Sequence, residues 1–287
     1  MQPGIYTNMS REEYFAIDAV SQSGLKDYAR SPAHWLAAQR RPRKETDDMR
    51  LGNVIDCAIL EPHLLESRYT VLPDFATGLV DDKGFPYKSP RATSKYKQLV
   101  SEFGRLNQGK EFVEPEWLES ARGVAEGIAA NEDASELLSG EGHNQVALVW
   151  IDPETGLLCK GLLDRLCTFQ GKRVVVDVKS TGDVRFFEKA CGDFGYAFQS
   201  AYYLRGLSIL GEPAERFLHV VCERDDPYAC EVRELDDESL DQGLREVTEF
   251  LALHAECKRT GHWPTKRSGV IPCRLPRYKF DSTGLES

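Results

Sequence analysis

No stretch of this sequence approaches the ~20 consecutive apolar residues of a membrane-spanning helix, and its opening residues lack a basic run followed by an apolar one. These absences predict a cytoplasmic protein with neither membrane anchor nor signal peptide. No internal repeat is visible, which excludes a solenoid. There is also no Cys-x-x-Cys pair: the eight cysteines stand at 57, 159, 167, 191, 222, 230, 257 and 273. Several fall in apolar runs, where a reduced thiol behaves as a small hydrophobe. His254, Cys257 and His262 are near one another in sequence, but without a second close pair they make a poor zinc site. A basic excess is missing as well. The formal charge of −10 argues against a general nucleic-acid binder, although not against positive charge gathered along one channel, because phosphate contacts are local.

What is present is a soluble, globular composition, 41% apolar and 29% charged over 287 residues, enough to bury a sizeable core. Its centre is a predicted β-hairpin. Gly161-Leu162-Leu163-Asp164-Arg165 and Val174-Val175-Val176-Asp177-Val178-Lys179-Ser180 are mostly apolar, and Gln170-Gly171 between them suits a tight turn. With the turn centred there, Asp164 lies across from Asp177 at about 5 Å, and Lys179 shares their face. Gln145 to Asp152 reads as a third strand, joined through the turn Asp152-Pro153-Glu154-Thr155-Gly156.

Two carboxylates at that separation repel by roughly 3 kcal/mol at an effective dielectric of about 20, and one ammonium offsets only part of this. A hard divalent cation such as Mg²⁺ reverses the sign, since it takes carboxylate oxygens, keeps several waters and recruits phosphates. On that reading Asp164 and Asp177 are metal ligands and Lys179 positions or activates a water. The alternative is an exposed hairpin face with a surface ion pair. Asp56 raises the same question, because it interrupts the apolar helix pattern of Leu51, Val54, Ile55, Ala58 and Ile59: a carboxylate buried there needs a partner or a metal, whereas one at the helix edge does not.

Elsewhere, residues 1 to 50 read as helical, with Ser21 and Ser31 as N-caps and Pro32 in a first turn, followed by the basic run Arg40-Arg41-Pro42-Arg43-Lys44. That run is either a solvated loop or a phosphate-tracking segment. Residues 73 to 94 read as a long loop in which Lys88 and Arg91 near Tyr87 would suit a single-stranded end, or would simply be surface. Two helices are expected over 94–140 and two more over 184–191 and 194–210. On the last, Tyr196, Gln199 and Tyr203 share one face. Strands at 216–223 and 228–234 precede a long helix from 236 to 260 broken only by Gly243, and a tail carrying Lys266, Arg267, Arg274 and Arg277. Arg165 serves either a structural ion pair or a phosphate.

Gly161-x-x-Asp164-Arg165 followed by Val176-Asp177-Val178-Lys179-Ser180-Thr181 resembles the second and third motifs of the RecB-like branch of PD-(D/E)XK nucleases. More narrowly, the chain resembles the RecE-type exodeoxyribonuclease VIII family. That likeness spans nearly the whole chain, through Ser21-x-Ser23, Leu51-Gly52 to Leu60-Glu61-Pro62, Asp152 to Gly156, Gln199 with Tyr203, Trp263-Pro264 and Leu275-Pro276-Arg277. It implies an α/β restriction-endonuclease-like fold, a mixed sheet flanked by helices with an N-terminal helical elaboration. It implies one domain over 1–287: a mainly helical part to 140, a catalytic sheet and helix core over 141–235, and a C-terminal helix and tail. The activity implied is Mg²⁺-dependent (or Mn²⁺-dependent) 5′ to 3′ resection of linear double-stranded DNA to 3′ overhangs, in a bacterial or phage-infected cell. The family forms a ring-shaped tetramer and works with a single-strand annealing protein. By the same resemblance Asp56, Asp164, Asp177 and the Val178 carbonyl hold metal, Lys179 acts on the water, and Gln199 and Tyr203 orient the lysine or the strand. Arg165, Lys88 and Arg91 are the candidate DNA contacts. Where the family has histidine this chain has Asp56, which still suits a hard cation. A single-strand or structure-specific nuclease on the same core, or a non-cleaving DNA-binding relative, are the other readings.

Overall fold

The computed structural model describes residues 1–40, 45–265, 270 and 272–275. Residues 41–44 of the basic run, and Lys266, Arg267 and Arg277 of the tail, lie outside them. In chain order, β1 (Gly4–Tyr6) leads through α1 (Arg11–Ala16) to β2 (Val20–Ser21), then α2 (Gln22–Leu25), α3 (Pro32–Gln39), α4 (Asp47–Leu60) and α5 (Leu65–Arg68). β3 (Tyr69–Val71), α6 (Ser94–Leu106), β4 (Glu111–Val113), α7 (Pro115–Ala130) and α8 (Glu132–Ser139) follow. The meander is β5 (Gly142–Ile151), β6 (Leu158–Phe169) and β7 (Lys172–Thr181). Last come α9 (Phe187–Phe194), α10 (Tyr196–Ile209), β8 (Arg216–Glu223), β9 (Cys230–Glu234) and α11 (Asp237–Thr260).

The main sheet runs β1-β5-β6-β7-β8-β9, with β2 added on β6. β7 and β8 are parallel, and α9 and α10 supply the crossover that parallel neighbours need; the meander is antiparallel. Parallel β7 and β8 read as near-continuous apolar runs because helices cover both faces. On one face Trp150, Leu163 and Val175 pack with Phe198, Tyr202 and Leu207 of α10 and Phe250 and Leu251 of α11. On the other, Val174, Val176, Leu218 and Val220 pack with Val54 and Ile55 of α4, Val124 of α7 and Leu137 of α8. Gly243 has a reason to be glycine: a Cβ there would collide with the Ala197 carbonyl, so its absence lets α11 lie close against α10.

The N-terminal residues are not purely helical. β1 pairs antiparallel with β5, and β2 pairs parallel with β6. Strands of two or three residues carry no periodicity, so only the edges that receive them define them. Ser21 and Ser31 do cap α2 and α3. The 73–94 loop is less structureless than its composition implies. Asp74 accepts from Ala76 N and Thr77, and Asp81 from Lys83 N and Phe85 N, so aspartate turns brace it. His254 hydrogen-bonds Tyr28 at 2.9 Å and packs edge-on to Trp35, which stacks on Trp263. That partnership of hydrogen bond and aromatic packing accounts for the burial of His254. Among the described residues no helix is long and apolar enough to cross a membrane.

Candidate active site

The edges of β6 define the site. β5 occupies one edge from Leu158 to Cys167. The other is shared: β2 takes Cys159 and Lys160, and β7 takes Arg165 to Phe169. Gly161 to Asp164 are left between two docked strands, forming a notch. The hairpin register is the expected one, Phe169↔Lys172 through Arg165↔Val176, but the paired ladder ends one step short of Asp164 and Asp177. The Asp164 carboxylate replaces it, Oδ2 accepting the Val178 N–H at 2.9 Å. Gly161 is required on the notch wall, since a Cβ would come within 2.8 Å of the Tyr203 ring.

Asp177 is 3% exposed. Its Oδ1 accepts Gln199 Nε2 at 2.8 Å, and its Oδ2 pairs with Lys179 Nζ at 2.5 Å. Lys179 Nζ also lies 4.9 Å from the centre of the Tyr196 ring. The two helix residues expected at the site are therefore distinct in role. Gln199 holds Asp177 directly, while Tyr203 packs over Gly161.

Asp56 approaches from α4, on the opposite helical layer. Among the described residues its carboxylate accepts no hydrogen bond. Burial pushes its carboxyl up to about 7; Lys179 pulls against that shift, Asp177 adds to it and Arg11 opposes it. Asp164 is raised well above the ordinary carboxylate range by burial first, then by Asp177 and Asp56. Burial disfavours the Lys179 ammonium, but Asp177 and Asp164 outweigh it and hold the group charged beyond the usual lysine range. Three carboxylates thus share one surplus cation. Asp56 and Asp164 keep part of their surface open, while Asp177 is closed off behind them.

The donor set fits a hard divalent cation: the ligands are oxygens, their charges are only partly balanced, and Asp56 has no competing donor. Among the described residues no three His, Cys, Asp or Glu side chains come close enough to hold an ion by themselves, in keeping with Asp177 being turned to Lys179 and Gln199. A Mg²⁺ ion needs only one or two carboxylates when waters and substrate phosphates complete its shell.

A mixed sheet covered by helices, with Asp164, Asp177 and Lys179 on adjoining strands, is the geometry that decides the family. Residues 21–276 match the model of a PDDEXK-like domain of unknown function, DUF3799. The chain belongs to this PDDEXK-like family. Among solved structures, it is similar to one named "Putative exonuclease" from Eubacterium rectale, with 13% identity, TM-score 0.56, and 97% of this chain and 99% of that one covered; at that identity the likeness is one of fold. The structure of SSO0001 aligns at 19% identity over 71% of this chain and 86% of its own, but its TM-score of 0.29 carries no argument. A comparison with curated proteins gives no match.

Within the PDDEXK-like fold three expected DNA contacts stand apart from the carboxylates. Arg165 is 4% exposed, and its guanidinium donates to the carbonyls of Leu137 (2.7 Å) and Gly140 and to Asn144 Oδ1 (2.6 Å). It ties the end of α8 to the sheet and is buried there, which matches the structural one of its two readings. Lys88 and Arg91 are exposed on the 73–94 loop, Arg91 near Asp74, and neither is joined to the cluster among the described residues. Three residues near the site were given no role by the sequence; of these only Lys160 is placed by it, as flanking the site. Lys160 donates to the carbonyls of Tyr14 (3.0 Å) and Ile17 (2.7 Å), pinning α1 to β6. Arg11, at the start of α1, lies within electrostatic range of Asp56. His219, opposite Asp177 on β8, is fully buried among Phe187, Tyr196 and Phe217; burial lowers its ring to about 4, and so it is neutral. A histidine inside an apolar strand was the available signal for that one.

Proposed function

We propose that this PDDEXK-like protein is a Mg²⁺-dependent exodeoxyribonuclease, Mn²⁺ substituting. In this reading it degrades the 5′-ended strands of linear double-stranded DNA and leaves 3′ overhangs for recombination. The observation that carries the reading is the Asp177–Lys179–Gln199 constellation set against Asp164 and Asp56. Asp56, Asp164 and Asp177, with the Val178 carbonyl, would hold the ion, which supplies Lewis-acid activation of water and neutralises charge on the phosphate. Gln199 fixes the Asp177 carboxylate, and Tyr203 packs against the notch at Gly161. Lys179, held charged by its neighbours, orients the attacking water or donates to the phosphate as negative charge grows on it. The Asp164–Val178 hydrogen bond keeps the notch open at the point where the phosphodiester must enter.

Polarity, the overhang product, a single-strand annealing partner, a ring-shaped tetramer and cytoplasmic action in a bacterial or phage-infected cell follow from the RecE-type resemblance and belong to this proposal. The test is digestion of a blunt linear duplex labelled at its 5′ or its 3′ end, with Mg²⁺, Mn²⁺ or a chelator. Metal-dependent release of 5′ label ahead of 3′ label is expected. Cutting of closed circles or of single strands alone would shift the substrate class, and binding without cleavage under either metal would overturn the enzyme.

A further inference from the structure

A groove of about 920 Å³ runs along the N-terminal segment, lined by Ser21, Ser23, Lys26, Arg30 and His34, with Asp27 as its acidic member. Two contacts tie its lining to the neighbourhood of the site. Ser21 is paired with Lys160, the residue before Gly161. The Lys26 Cε lies 3.7 Å from where a Cβ of Gly195 would be, and Gly195 precedes Tyr196, whose ring lies against Lys179. Lys26, Arg30 and His34 follow one another at four-residue intervals.

In a chain of net charge −10, many arginines are paired with carboxylates, among them Arg50, Arg68, Arg173, Arg205, Arg216 and Arg224. Among the described residues the exposed Arg30 guanidinium has no side-chain partner, and the hydroxyls of Ser21 and Ser23 lie 3.4 Å apart beside it in the groove. Cations and hydroxyls spaced along a groove whose lining touches the residues flanking the proposed cutting centre match a run of backbone phosphates.

We propose that this groove, from Ser21 and Ser23 through Lys26 and Arg30 to His34, is the track that holds the phosphates of the nucleic-acid strand flanking the one being cut. The inference rests on the nuclease reading. It is sequence-independent by construction, since the groove offers charge and hydroxyls and no aromatic face for bases.

The experiment compares the wild type with a Lys26→Gln/Arg30→Gln double variant, using a fluorescein-labelled DNA duplex of about twenty base pairs. Anisotropy is read in chelator over a range of salt concentrations. The expected result is an affinity loss of about tenfold, with the slope of log affinity against log salt shallower by roughly one to two, the release of one or two counterions. In cleavage assays the loss falls on KM rather than kcat. Arg30→Lys in the single-site background recovers the salt slope, which a merely structural role would not require. Arg245→Gln, on the exposed side of α11 where Arg245 bonds Gln242, serves as the control, and thermal melting verifies folding. Unchanged affinity and slope in a folded double variant, or an equal loss in the Arg245 control, overturn the track while leaving the nuclease reading intact. A wild type that neither binds nor cuts DNA overturns both.

Discussion

Lys179 and Asp56 sit in the same field and answer to it with opposite signs. Lys179 is the cation that three carboxylates share, so Lys179→Ala should abolish cleavage, by about 10²–10³-fold or more, and cost about 3 kcal/mol in urea unfolding. Asp177→Ala should be as inactive, and both variants should still melt cooperatively. Asp56 is buried without a hydrogen-bond donor, a cost to its charged form that the nearby cations only partly offset, so Asp56→Asn should stabilise chelator-treated protein by about 1 kcal/mol at pH 8, raising Tm by about 2–4 °C. The sign fixes the pH window. Burial raises the folded Asp56 carboxyl to about 7, against about 3.9 in the unfolded chain. The wild type therefore gives up stability as pH climbs between those values, and the advantage of Asp56→Asn should vanish near pH 4. Restoring the resembling family's residue through Asp56→His should keep or raise activity in the end-label assay.

At the scale of elements, the turn before β6 shows how a motif can be legible while its role is not. Asp152 is fully buried; its Oδ1 accepts from Glu154 N, Thr155 N and Thr155 Oγ1, and its Oδ2 takes two N–H donors of Arg205 on α10 at 3.0 and 2.8 Å. Burial would raise its carboxyl, but Arg205 and Thr155 outweigh that and hold it below the ordinary range. Its contribution is present above about pH 4 and is lost as pH falls further. Asp152→Asn should cost about 3 kcal/mol at pH 7 and much less near pH 3, read by chemical denaturation at both. Gly161→Ala should cost about 1–3 kcal/mol by overpacking against Tyr203, and slow cleavage by displacing the Tyr203 ring from the notch beside Asp164. The meander was readable because period-two alternation and a centred turn fix register locally, and Asp56 because a carboxylate broke an apolar helical stripe. β2, Lys160 and the fate of Arg165 were not, since each is decided by a partner far away in sequence: Val20 meets Cys159, and Arg165 meets the end of α8. Helix spacing and the family resemblance placed Gln199 near the site, but its bond to Asp177 and the end of the ladder before Asp164 have no counterpart in any local pattern.

For the whole molecule, function must be reconciled with a net charge of −10. A divalent ion that binds only the folded protein stabilises it by mass action, so millimolar Mg²⁺ or Mn²⁺ should raise the Tm of the wild type while leaving that of an Asp164→Asn/Asp177→Asn variant unmoved. A chelator should remove both the shift and the activity without unfolding the chain. The notch between β2 and β7 has a further consequence. Both strands dock on one edge of β6, at Cys159–Lys160 and from Arg165 onward, so the intervening residues act as a gauge of fixed length. One inserted residue would turn the Asp164 carboxylate to the opposite side of the strand. Two would restore its direction but displace it by about 6.6 Å, beyond the reach of the Val178 amide. The spacing from Lys160 to Arg165 is therefore expected to tolerate substitution far better than any change in length.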